Sequence, residues 1–242
     1  MRALLVARRR RAKLLWADEK LAAWGPVGEL VALARYQGIP VELKSVQELV
    51  ARAGTDAPQG VIAWAEPLPL VRLEELLEPA AGGDLLVVLD GVSDPGNLGS
   101  VLRSAACAGA AGVVVGQHRS APLTPGAMKA AAGAAEVVPV ARVPGIPSAL
   151  ATIRAARWWA VGLDAAATDD IWATPLLGPP VALVLGSEGR GLSRLARERC
   201  DAMVRVPVAQ QARDAGVSSL NVAVACAVGC FEVARRRATA GA

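Results

Sequence analysis

The chain has 242 residues, enough for one large domain or a small one followed by a medium one, and 53% of them are apolar, so a sizeable core is assured. It has no run of eighteen apolar residues, and its first residues are charged where a signal peptide needs an apolar stretch. This argues against a membrane span or secretory leader and for a cytoplasmic protein. Cys107, Cys200, Cys226 and Cys230 lack CxxC or Cys/His spacing and His118 is the sole histidine, so no metal centre is expected and the thiols read as buried packing residues.

Charge is unevenly placed. Residues 1–13 hold Arg2, Arg8, Arg9, Arg10, Arg11 and Lys13 with no acid, so removing these six cations takes the net charge from +4 to −2. Such a block attracts phosphate backbones through counterion release, and it equally suits a solvated terminus; charge alone leaves both readings open. From Leu14 a small α/β unit follows. Leu14–Trp16 reads as a strand, Glu19–Tyr36 as a helix kinked or split at Gly25 and Pro26, Ile39–Leu43 as a strand, Val46–Arg52 as a helix and Val61–Trp64 as a strand. This unit is expected to span residues 1–66. Residues 67–83, with Pro67, Pro69 and Pro79 around the amphipathic stretch Val71–Leu77, read as a linker carrying a brief helix.

Residues 84–242 alternate strand and helix. Leu85–Leu89 is a continuous apolar run of the kind that forms a strand buried on both faces, and Asp90 ends it. Pro95 and Gly96 break the backbone, Asn97 reads as a helix cap, and Leu98, Val101, Leu102 and Ala105 recur at helical spacing, with Arg103 the odd residue among them. The series continues with strands at Gly112–Val115, Val137–Val140, Trp158–Val161, Val181–Leu185 and Met203–Val206. Helices are expected at Thr124–Ala132, Ile146–Ala156, Leu192–Arg199 and Ser218–Arg237. This is the pattern of an α/β fold with a parallel sheet covered on both faces. Arg235, Arg236 and Arg237 end the last helix, where cations complement its dipole.

Gly186, Gly189 and Gly191 follow a buried strand but spell neither GxGxxG nor a Walker motif, which disfavours a dinucleotide-dependent oxidoreductase or a P-loop enzyme. Asp94, Pro95, Asn97, Leu98, Gly99 and Arg103, spaced DPxNLGxxxR, resemble the first motif of the SpoU/TrmH family of RNA 2'-O-ribose methyltransferases. Leu183–Leu192 (LVLGSEGRGL) and Val217–Ala223 (VSSLNVA) resemble the second and third, in the same order. The resemblance implies a C-terminal domain with a deep trefoil knot of the SPOUT type, a homodimer built around it, and S-adenosylmethionine bound by backbone groups of the knot loops. Gly186, Val206 and Leu220 match the cofactor contacts.

Arg103 matches the arginine placed at the ribose hydroxyl. Because a guanidinium with a pKa above about 12 is a poor proton acceptor, fixing the adjacent phosphate in a forked pair suits its chemistry better. Asn97, Glu188, Ser219 and Asn221 match the remaining polar residues and are expected to form a hydrogen-bonded shell around arginine, ribose and cofactor.

Gln59–Ala63 (QGVIA) resembles the end of the small N-terminal RNA-binding domain of some family members. Those members begin with a further glycine-led helix, whereas this sequence starts near that helix's end, around Ala3–Leu5, so the domain is expected to be trimmed or the start codon to be placed late. Arg8, Arg9, Arg10, Arg11 and Lys13 are its candidate RNA contacts. The branch it resembles methylates guanosine in large-subunit (23S) ribosomal RNA; relatives act on tRNA or on other ribosomal nucleotides to confer antibiotic resistance. A non-catalytic assembly factor is the competing class, disfavoured because Arg103, Glu188 and Asn221 are all present. Lys129–Glu136 (KAAAGAAE) resembles a further family segment. The stretch 208–216 is longer than the family's usual link, and Arg213 and Asp214 there read as solvated loop or as a lid. One Phe, one Tyr and six scattered Trp offer no stacking platform, so RNA recognition is expected to lean on charge and shape.

Overall fold

The computed structural model describes residues 1–53, 59–78, 83–178 and 180–240. The chain divides into two compact units, Met1–Pro69 and Leu70–Ala242.

In the first unit, α1 (Arg2–Ala7), β1 (Ala12–Asp18), α2 (Gly25–Tyr36), β2 (Val41–Lys44), α3 (Val46–Ala53) and β3 (Val61–Ala65) build a three-stranded sheet of order β2-β1-β3. The helix expected from Glu19 begins only at Gly25, whose φ of 58° and the Pro26 after it set the first turn. Alternation in β1 sends Leu15 and Ala17 to a core with Leu5, Val27, Val31 and Ala34. Trp16 goes to the opposite face, where it meets Trp64 edge-on with centroids 4.9 Å apart. Lys44 sits over Trp16 and Arg52 over Trp64. Two of the tryptophans that read as scattered are therefore neighbours, with cations already stacked on them.

The second unit opens with α4 (Leu73–Leu77), whose Leu73 and Leu76 are buried in its core, so this stretch packs as part of the unit. Pro79 lies outside the described residues. There follow β4 (Leu85–Asp90), α5 (Pro95–Cys107), β5 (Gly112–Gly116), α6 (Pro125–Ala130), β6 (Val140–Val143), α7 (Ile146–Ala155), β7 (Trp159–Leu163), β8 (Asp169–Asp170), β9 (Val181–Gly186), α8 (Arg194–Arg199), β10 (Ala202–Arg205), α9 (Gln210–Asp214) and α10 (Val222–Ala240). The seven strands run β6-β5-β4-β9-β7-β10-β8, and every pairing among them is parallel. β4 and β9 lie side by side at the centre, in register from Leu85↔Val181 to Asp90↔Gly186. Their apolar residues are fully buried, as continuous apolar runs require.

Four expectations shift. Asn97 does not cap α5: Asp94 does, accepting the Asn97 backbone N–H at 2.7 Å, because Pro95 fits the first helical position and starts the helix earlier. The strand expected at Val137–Val140 lies at Val140–Val143, with Val137 exposed. Lys129–Glu136 is the end of α6 and a short 3-10 turn, broken at Gly133 with φ 96°. Cys107 is exposed and Cys200 half-buried, so only Cys226 and Cys230 are the buried thiols expected of all four. The Cys226 thiol is held well above its ordinary range by its hydrogen bond with Cys230 and by burial, and burial pushes the Cys200 thiol up to about 12.

The C-terminal arginines are structural. Arg235 and Arg236 both bind the buried Glu232 carboxylate, at 2.8 and 2.7 Å. Arg236 also donates to the carbonyls of Thr174, Trp172 and Ile171, and Arg237 pairs with Asp84. Among the described residues no helix is long and apolar enough to cross a membrane, and no group of three or more His, Cys, Asp or Glu side chains is placed to hold a metal.

Candidate active site

The carboxyl ends of parallel strands are where an open α/β sheet leaves room for a ligand. At this edge β7 ends in Leu163, β9 in Gly186 and β10 in Arg205. A cavity of about 620 Å³ opens there, lined by residues 163–166, 185–191, Arg197, Val206, 218–222 and Ala225. Its floor is apolar (Leu163, Leu185, Val206, Val222), and its walls are loop backbone carrying a few polar groups, the usual makeup of a small-molecule site.

The loop after β9 is fixed at several points. Ser187 N–H donates to the Gly191 carbonyl at 3.0 Å and Gly191 N–H to the Ser187 carbonyl at 2.9 Å. Ser193 N–H donates to Asp90 Oδ2 at 2.8 Å, tying the loop to the end of β4. Gly186 has no alternative: a Cβ there would lie 2.0 Å from the Gly191 carbonyl carbon and 2.2 Å from Leu192 N.

Three side chains from distant parts of the sequence meet at this loop. Asn97 Nδ2 donates to Glu188 Oε1 at 2.9 Å, and Asn221 Nδ2 donates to the same oxygen at 2.8 Å and to Asn97 Oδ1 at 3.0 Å. Asn221 Oδ1 in turn accepts from Ala223 N–H at 2.9 Å and Val224 N–H at 3.4 Å, which is why α10 begins at Val222 and not at the expected Ser218. Glu188 Oε2 accepts no hydrogen bond among the described residues.

Of the sequence-predicted residues, Gly186, Val206, Leu220, Glu188, Ser219 and Asn221 line the cavity, and Asn97 joins it through Glu188. Ser219 stands outside the hydrogen-bonded trio. Arg103 does not line the cavity; it is exposed on α5, with no hydrogen bond or ion pair among the described residues. The long link forms α9, which has no buried residue, and none of residues 208–216 lines the cavity. In the first unit, Arg8, Arg9, Arg10, Arg11 and Lys13 line a separate groove of about 860 Å³ together with Tyr36 and Glu66. Arg8, Arg11 and Lys13 are exposed there, while Arg10 Nη1 donates to the Glu66 carbonyl at 2.8 Å.

Comparison with known proteins bears on what this cavity is. Residues 84–231 match the SpoU rRNA Methylase family, and residues 2–71 match the family described as RNA 2'-O ribose methyltransferase substrate binding. The chain belongs to the SpoU rRNA methylase family. It is 40% identical over 240 residues to the 23S rRNA (guanosine-2'-O-)-methyltransferase RlmB of Pseudomonas putida, covering 98% of this chain and 94% of that one. It is 41% identical over 239 residues to the RlmB protein of Pseudomonas aeruginosa, covering 97% and 93%. Among solved structures, the SpoU methyltransferase AviRb from Streptomyces viridochromogenes, in complex with the cofactor AdoMet, superposes with a TM-score of 0.78 at 28% identity. It covers 98% of this chain and 87% of that one.

Two lining residues of this SpoU chain were missed by sequence reasoning. Asp164 follows β7 and pairs with Arg197 of α8, while its Oδ1 accepts the Ala166 N–H at 2.8 Å. An acid directly after a buried strand, at the edge where the motifs gather, was the available signal. Arg197 carried none, since α8 is rich in arginine and only the fold selects the one that faces Asp164.

Proposed function

We propose that this chain transfers a methyl group from S-adenosylmethionine to a ribose 2'-hydroxyl of RNA, at a guanosine of 23S ribosomal RNA. The observation that carries the reading is the Asn97–Glu188–Asn221 trio, which joins one residue from each of the three motifs at the rim of the 620 Å³ cavity. The cavity suits the cofactor: its volume falls in the range of small-molecule sites, and Gly186 lets strand and loop backbones close to a separation that no side chain permits. Gly186, Val206 and Leu220 would hold it. When bound, S-adenosylmethionine supplies an already activated, electrophilic methyl group.

The chain's own work is positioning and proton handling. Asn97 and Asn221 commit Glu188 Oε1 to two amide donors and so fix the carboxylate, leaving Oε2 as the acceptor the site offers for the hydroxyl proton. Arg103 is a donor only, permanently cationic, and stands outside the cavity where an incoming RNA backbone passes. Its part is to fork the adjacent phosphate and to stabilise charge developing on the ribose oxygen.

The finer architecture belongs to the same reading. The strand order, with β9 entering between β4 and β7 before the chain moves out to β10, supports a knotted C-terminal segment. An apolar stripe on α10, with Val224 and Phe231 half exposed, supports a homodimer. Residues 1–66 serve as the RNA-binding domain, the start of 67–83 connects it before α4 packs into the second unit, and 84–242 carry catalysis in the cytoplasm, where ribosomal RNA is found. Isothermal titration with S-adenosylmethionine, followed by transfer of its labelled methyl to protein-free ribosomal RNA and to tRNA in parallel, tests the reading. Binding with label in the ribosomal pool supports it; no binding, or label in tRNA alone, overturns it.

A further inference from the structure

The groove in the first unit holds more than charge. Tyr36, the last residue of α2, is 87% exposed, the highest value among the large apolar side chains of the described residues, and it lines the groove with Arg8, Arg11 and Lys13. The backbone beneath it is fixed. Gln37 N–H donates to the carbonyls of Leu33 and Ala34, Gln37 Nε2 donates to the Leu5 carbonyl at 2.9 Å, and Gly38 ends the helix with φ 70°. An aromatic ring is thus held in solvent on a rigid helix end, at low cost in conformational freedom. Glu66 is the one acid lining the groove, and its carbonyl is already bound to Arg10.

We infer that this groove binds an unpaired segment of the substrate RNA, with one base stacked on Tyr36 and the flanking phosphates on Arg8, Arg11 and Lys13. The inference rests on the reading of RNA as substrate and adds which form of RNA this unit selects. Duplex RNA keeps its base faces stacked within the helix and offers only backbone and shape, so an exposed ring among cations adds binding only where a base is splayed out. The Trp16–Trp64 pair does not compete for this role, because Lys44 and Arg52 already sit over those rings.

The test is fluorescence anisotropy with the full chain and two labelled RNAs, a hairpin with an unpaired loop and a fully paired duplex of matching length. Tyr36→Ala is expected to weaken hairpin binding by about 5- to 100-fold, the worth of one stacked base, and duplex binding by no more than about 2-fold, with the salt dependence unchanged. Tyr36→Phe is expected to keep wild-type binding, since the ring and not the hydroxyl carries the stack. Because Tyr36 is exposed, both variants should give the wild-type circular dichroism spectrum. Unaltered hairpin binding by Tyr36→Ala, or an equal loss on hairpin and duplex, would overturn the inference. Failure of the wild-type chain to bind either RNA would overturn the RNA reading along with it, and is seen before any substitution is made.

Discussion

Gly186→Ala is the substitution whose consequence the structure fixes most closely. The added Cβ would lie 2.0 Å from the Gly191 carbonyl carbon, 2.2 Å from Leu192 N and 2.3 Å from the Gly191 oxygen. Reaching the 3.4 Å at which ordinary contact begins requires that backbone to retreat by about 1.4 Å. It is poorly able to do so, because the loop is closed by the two Ser187–Gly191 hydrogen bonds and anchored by Ser193 to Asp90. Overpacking of this kind costs about 1–3 kcal/mol, and loss of one loop hydrogen bond adds about 1 kcal/mol. Together they lower Tm by roughly 4–16 °C for a domain of this size. The functional loss is larger, since a displacement of about 1 Å at a catalytic site is worth about 100-fold in rate and the loop carries Glu188. The assays are thermal unfolding, titration with S-adenosylmethionine and methyl transfer. Gly189→Ala in the same loop is the control: nothing lies within 4 Å of its Cβ position, and with φ +77° it carries only left-handed strain of about 1–2 kcal/mol. Wild-type affinity and transfer in Gly186→Ala would refute the reasoning and move the cofactor away from this loop.

Arg103→Ala should reduce methyl transfer at least about 100-fold while S-adenosylmethionine affinity stays within about 2-fold; joint loss in titration and transfer would mean that Arg103 supports the cavity. Glu188→Gln keeps an oxygen for the two amide donors but removes the proton acceptor, so kcat should fall with the cofactor Kd held, whereas Glu188→Ala should weaken both; a fully active Gln variant would exclude the carboxylate from proton transfer. Neutralising Arg8, Arg11 and Lys13 together with Gln should lower the slope of log affinity against log salt by about 2 to 3 on ribosomal RNA, and an unchanged slope would return them to solvated surface. Arg235, and with it Arg236, holds the Glu232 carboxyl down at about 2 from an ordinary 4.5, so the stability it supplies is present above pH 4.5 and lost as pH falls towards 2. Acid unfolding curves should show this loss in the wild type and not in Glu232→Gln.

The central strands were legible because they are buried on both faces: Leu85–Leu89 and Val181–Leu185 are uninterrupted apolar runs whatever their neighbours are. Helix starts were less so. Asp94 and Asn97 are both good caps, and the choice between them turned on Pro95, while α10 starts four residues later than its apolar pattern because Asn221 Oδ1 takes the first orphan N–H groups. The motif residues were read by their order along the chain, but their hydrogen bonds needed the fold: Asn97 and Glu188 meet because β4 and β9 are adjacent, and Asn221 joins them from the start of α10, which packs against α5 and β9. The same limit hid Asp164 with Arg197. It also hid Trp16 with Trp64, whose contact depends on the β1–β3 register that sets Leu14 against Trp64 and Trp16 against Ile62.

The most direct test of the account is the chemical identity of the product. Ribosomal RNA methylated by the purified chain with labelled S-adenosylmethionine would be digested to nucleosides and resolved by mass spectrometry, and the account predicts label in 2'-O-methylguanosine alone. Label on a base, or on the ribose of another nucleoside, would contradict it.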